Sequence, residues 1–177
     1  MMYGQPVIWM AVEILFLPII WGIVGGLLLS IRKQECFVNG ALFIAALYAI
    51  FRYTILNRTA GIRNVVFVPL QLLWEAISQN KEIVRSILLN IFLFEPFGAA
   101  FVNLLPQRTA VWKKILMVSV TGLVICVGVE ASQYGLYLGN FEADDVICNT
   151  LGTFIGALSL PMKTAIATAR NVKKKYK

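Results

Sequence analysis

The chain has 177 residues, 59% of them hydrophobic and 14% charged, with a formal net charge of +7 and no histidine. Soluble domains carry roughly 25% charged residues, and several apolar runs here approach the ~20 residues that a helix needs to cross a bilayer. This excludes an ordinary soluble domain and points to an all-α, polytopic membrane helix bundle forming a single membrane domain.

The missing histidine removes the commonest general base and the commonest metal ligand. Most basic residues flank apolar runs instead of lining an aromatic-interleaved polar face, so nucleic acid is not an expected partner. Cys36, Cys126 and Cys148 are odd in number and lack CxxC spacing, which gives no basis for a structural disulfide.

In chain order, residues 7–31 form the first apolar run. It lacks a basic leader region and a small-residue cleavage site, so it is expected to remain as a span. Pro18 should kink it, and Gly22, Gly25 and Gly26 permit close helix contact. Glu13 lies near its start, within reach of interfacial water. After the basic pair Arg32–Lys33, residues 37–51 make the second span, followed by a polar link, RYTILNRTAGIRN, with Arg52, Arg58 and Arg63.

Residues 65–77 are apolar but give only ~20 Å of helix, short of the ~30 Å hydrocarbon core. With Pro69, Trp74 and Glu75 they read as an interfacial or re-entrant piece. The third span, 83–105, contains NIFLFEPFG, in which Asn90, Glu95, Pro96 and Gly98 are all awkward in lipid; a kink at Pro96 is expected.

The fourth span, 115–136, carries Glu130 and Gln133 three residues apart on one face. A tight acidic loop with Glu142 then leads into the fifth span, 145–160, and a basic tail, RNVKKKYK. Asp144 at the helix N-cap and Asp145 in the first turn would complement the helix dipole. Asn149 lies one turn further on, placed to bond Gln133 or Glu130. Gly152 and Gly156 form a G-x-x-x-G expected to bring the fourth and fifth helices together.

The distribution of lysine and arginine places the C-terminal tail in the cytoplasm and, with about five spans, the N-terminus outside. The stretch from Arg52 to Arg85 then lies outside although it holds five basic residues. A non-crossing 65–77 segment produces this arrangement; a crossing one would invert the upstream spans. The outer face would gather Arg52, Arg58 and Arg63 with Glu130, Gln133, Glu142, Asp144 and Asp145, so that arginines either neutralise the carboxylates or recognise an anionic headgroup.

Four blocks in order resemble the VanZ-like family of bacterial membrane proteins: RNVVFVP at 63–69, NIFLFEPFG at 90–98, VEASQ at 129–133 and FEADDVICNTLGTFIG at 141–156. Arg63 and Asn64 are similar to the family's Arg-x-Asn element, and Glu130 and Gln133 to its Glu-x-x-Gln pair. The chain departs from the family pattern at Glu95, where many relatives are apolar, and at Gly139–Asn140, where many carry an arginine. The resemblance implies a protein of the bacterial plasma membrane and cell envelope, linked to antibiotic resistance of the teicoplanin and glycopeptide type.

Three functions follow as expectations. The first is binding or shielding of an outer-leaflet lipid, a cell-wall precursor or a glycopeptide antibiotic. The second is an intramembrane enzyme acting on a lipid or lipid-linked precursor, with Glu130 as base and a divalent cation at Asp144 and Asp145. The third is a small transporter or flippase, although no internal repeat supports it. No other metal or cofactor is expected.

Overall fold

The computed structural model describes residues 32–58, 61, 64–66 and 81–175. The first span, with Glu13, and the 67–77 part of the short apolar piece lie outside these residues, as does Arg63. Among the described residues, four helices are long and apolar enough to cross a membrane: Glu35–Leu56, Ile83–Leu104, Val111–Gly135 and Ala143–Ile166.

Helix α1, Arg32–Phe51, does not stop where the polar link was expected to begin. It continues through a π-helical turn, Arg52–Leu56. A π turn loosens the backbone ladder, and here Thr54 Oγ1 donates to the Ile50 carbonyl at 2.7 Å, occupying one loosened acceptor. The span becomes 22 residues, about 33 Å, instead of the shorter run read from the sequence.

Helix α2, Lys81–Leu104, runs through Pro96. Helix α3, Val111–Gly135, ends in a left-handed turn. Leu138 N–H donates to Gln133 O at 2.8 Å and Tyr137 N–H to Tyr134 O at 3.3 Å, the paired bonds of a Schellman closure. Tyr137 occupies its left-handed position with φ 58°, where glycine is usual. This closure turns the chain back across the end of α3.

Helix α4, Ala143–Ala157, and helix α5, Ser159–Lys175, meet at Leu158. Pro161 has no N–H to donate to the Ala157 carbonyl, and that missing bond accounts for the break.

The bundle is not wholly helical. Strands β1, Val65–Val66, and β2, Phe141–Glu142, pair in parallel, Val65 opposite Phe141 and Val66 opposite Glu142. The pairing holds Val65 and Val66 beside the α3–α4 loop. Lys81, which opens α2, stands at the same end, because Asn90 one helical stretch later still reaches Asp145 near the start of α4. Val66 and Lys81 thus both lie at this end of the bundle.

That end, where α1 and α3 finish and α2 and α4 begin, is here the loop end; the other, which α5 leaves, is the tail end. Between them α2 packs against α1 on one side and α4 on the other, and α3 packs on α4. Phe43, Phe97 and Phe101 stack between α1 and α2 with centroids 5.3–5.6 Å apart. Phe94, Ile50, Ala46 and Cys126 complete this core, and Val102, Val118, Ala157 and Leu160 form a second one nearer the tail end. Trp112, Leu116, Val120 and Val124 remain exposed along α3 at helical spacing, as a lipid-facing stripe would.

The seam between α2 and α4 depends on glycine. A Cβ on Gly152 would strike the Ile91 carbonyl, one on Gly156 the Glu95 carbonyl, and one on Gly98 the Thr153 carbonyl. Gly152 and Gly156 therefore lie against the third predicted span, not the fourth. The fourth approaches α4 through Gly122, which faces the Thr153 side chain. Parallel order along the seam (91 with 152, 95 with 156) shows that α2 and α4 run in the same direction.

Candidate functional site

The loop end brings together side chains from α2, α3 and α4 and a backbone carbonyl from the π turn that ends α1. Glu130, in the last turns of α3, is 1% exposed. Its Oε2 accepts the Glu142 backbone N–H at 3.1 Å. The Schellman closure makes this contact possible, because it folds residues 138–142 back towards the helix they have just left. Glu142 is itself tied down: its Oε1 accepts from Asn140 Nδ2 at 3.2 Å, while Asn140 Oδ1 accepts the Asn64 N–H at 3.0 Å. Phe141 N–H donates to Asn64 O at 2.9 Å, so Asn64 clasps the acidic loop by both its backbone groups.

Gln133 points elsewhere. It is 2% exposed, and Nε2 donates to the Thr54 carbonyl on the π turn at 2.9 Å. It thereby joins the end of α3 to the end of α1. Asp145, in the first turn of α4, accepts from Asn90 Nδ2 of α2 through Oδ1 at 2.5 Å. Asp144 beside it is 6% exposed. The helix begins two residues earlier than expected, so Glu142 takes the N-cap position, without a side-chain cap bond, and both aspartates fall in the first turn. Asp144 is therefore not the N-cap. The dipole at this helix start still favours negative charge there.

Arg58 supplies the cation. A Cβ on Gly139 would stand 3.3 Å from its Nη1, so the bare backbone at that position makes room for the guanidinium. From there Arg58 exerts an electrostatic pull on both Glu130 and Asp145. The two carboxylates also repel each other, and Glu142 repels both. Arg52 is exposed on the π turn and makes no described contact with this group.

Asn149 does not make the bonds expected of it. It is 3% exposed and its Oδ1 has no partner among the described residues; the Gln133 amide donates to the Thr54 carbonyl instead. Glu95, one of the expected cluster, is completely buried on α2, with neither carboxylate oxygen partnered among the described residues.

Two contributors were not singled out from sequence. Thr54 acts through a backbone carbonyl, which leaves no trace in residue type. Asn140 did have a signal, an asparagine after glycine in a tight loop, where its short amide can bond nearby backbone.

The arrangement is a buried, hydrogen-bonded acidic group with an arginine at its mouth. It offers acceptors to cationic, hydroxyl or amide groups, and one guanidinium to a phosphate or carboxylate. Among the described residues, no three Asp, Glu or Cys side chains are grouped to hold a metal ion. A family model described as VanZ/LLP1 matches residues 7–164. Comparisons with curated proteins and with solved structures return no match.

Proposed function

We propose, from the premise that this chain belongs to the VanZ/LLP1 family, that its loop end faces the outside of a bacterial plasma membrane and binds or shields an amphipathic envelope molecule there. The ligand is an outer-leaflet lipid, a cell-wall precursor or a glycopeptide antibiotic, and its sequestration lowers susceptibility to teicoplanin-like compounds. In this topology the N-terminus is outside and the C-terminus cytoplasmic. The basic turn with Arg108 and Lys113 and the lysine-rich tail then fall on the cytoplasmic side, as positive-inside statistics favour.

One observation carries the reading. Glu130 is buried at 1% exposure yet fixed by a loop N–H, with Arg58 within electrostatic reach, at an end of the bundle built from four chain segments. Ionisable groups held inside a membrane bundle are expensive, which makes them functional candidates by default. The ligand's polar head would meet the carboxylates and Arg58, and its apolar part would lie along exposed Tyr53, Leu56, Leu136 and Tyr137.

The test separates binding from scaffolding. Glu130→Gln keeps an oxygen to accept the Glu142 N–H while removing the charge. The variant should reach the membrane in normal amount and lose the protective effect on teicoplanin susceptibility. Full protection by an abundant Glu130→Gln protein would refute the proposal, and loss of abundance in step with loss of protection would reduce Glu130 to a structural part.

A further inference from the structure

The tail end carries a second group of charges that the loop-end reading does not use. Lys114, in the first turn of α3, is 5% exposed. Its neighbour Lys113 instead lies exposed, with Nζ 5.4 Å from the centre of the Trp112 ring. An ammonium has three N–H donors. The acceptor described for Lys114 Nζ is the Leu105 carbonyl at 3.4 Å, near the long limit of a hydrogen bond. Lysine near the last carbonyls of a helix is a familiar cap, but a cap occupies one donor.

Lys163, from α5, reaches the same turn of α2. Its Nζ lies 2.8 Å from Glu35 Oε2 and 3.3 Å from Asn103 Oδ1. The Asn103 amide nitrogen donates to Ala99 O at 2.8 Å, which fixes the side-chain oxygen towards Lys163. The two ammonium groups are thus gathered on residues 103 and 105, close enough to repel each other. Two lysines and one described carboxylate leave an excess of one positive charge in a part-buried setting. Such a charge is costly unless paired.

We infer that the tail end of the bundle binds a phosphate group between Lys114 and Lys163. A phosphate presents several acceptor oxygens around one compact centre, so it can accept from both ammonium groups while Glu35 stays on Lys163. Exposed Met117 lies one turn on from Lys114 on the same side of α3, so a phosphodiester can arrive with its acyl chains along the bundle wall. A soluble phosphate has the same headgroup chemistry and approaches from the aqueous side.

The experiment uses the full-length protein in mild detergent. Retention of phosphatidylglycerol is read by native mass spectrometry against phosphatidylcholine, whose own cation competes for the phosphate. Inorganic phosphate is titrated separately by thermal shift. Lys114→Met should weaken phosphatidylglycerol binding about fivefold. Glu35→Gln, which removes the competing carboxylate, should strengthen it by a similar factor. A lysine that only caps α2 would leave retention equal in both variants, and that result overturns the inference. If Lys114→Met does not fold, Glu35→Gln alone decides, because failure to gain affinity is equally fatal. The same opposed pattern with inorganic phosphate but not with phosphatidylglycerol would assign the site to a soluble phosphate. Variant-independent binding of both probes, or binding of neither, overturns it.

Discussion

Gly152→Ala tests whether the α2–α4 seam holds the candidate site in shape. The added Cβ would lie 2.9 Å from the Ile91 carbonyl carbon and 3.0 Å from its Cα, besides striking the carbonyl oxygen. Carbon atoms prefer about 3.5–4.0 Å, so the helices must part by roughly 1 Å. The obstacle is backbone on a packed helix and cannot rotate away. Overpacking of this kind costs about 1–3 kcal/mol, while alanine in place of helical glycine returns up to about 1 kcal/mol. The net expectation is a loss of about 1–2 kcal/mol. Gly128→Ala on α3, with nothing within 4 Å of the new atom, is the control and should be neutral or slightly stabilising. Reversible unfolding in mixed micelles by titration with dodecyl sulfate measures both. Because Asn90, next to Ile91, bonds Asp145 across the same seam on the loop-end side, Gly152→Ala should also loosen their bond. Equal stability of the two variants, or a Gly152→Ala protein firmer than the parent, would refute the close-contact reasoning.

Two further outcomes follow from the same structure. A double-mutant cycle on Asn90→Ala and Asp145→Ala should show a coupling of about 1.5–3 kcal/mol, the range for a hydrogen bond to a charged group; additive losses would mean that the bond contributes nothing. Glu95→Met replaces a fully buried carboxylate that has no described partner and should leave unfolding stability unchanged or raise it by about 1–3 kcal/mol. A clear loss of stability would reveal a partner for that carboxylate.

The sequence carried the gross architecture because the spans are long and strongly apolar, and Glu130 and Gln133 stood out as polar residues near the end of one of them. It carried pairings less well. A glycine pair announces that something comes close without saying what, and the nearest helix in sequence was the natural choice for Gly152 and Gly156. The true partner, α2, sits one helix further back in the chain. Arg52 and Thr54 made residues 52–56 look like a link, yet Tyr53, Ile55 and Leu56 are apolar enough to carry the helix on through a π turn. Helix-face spacing offers Asn149 either Gln133 or Glu130 and is blind to the carbonyl that Thr54 presents to Gln133 from a third helix. The β1–β2 pairing has two residues on each side, too few for any period to register.

The α2–α4 seam also bears on how the chain is made. The two helices that touch most intimately are separated in sequence by the whole of α3, so α2 enters the bilayer before its partner has been synthesised. Until α4 arrives, Asn90 has no Asp145, and the glycine-fitting face of α2, with Glu95 on it, has nothing to fit. A half-made chain therefore exposes an intramembrane carboxylate and amide that the finished one conceals. Incompletely folded protein is continuously triaged by chaperones and proteases in cells. Variants at Gly98, Gly152 or Gly156 should thus be noticed first as short-lived proteins during biogenesis, before any change in their mature activity can be measured.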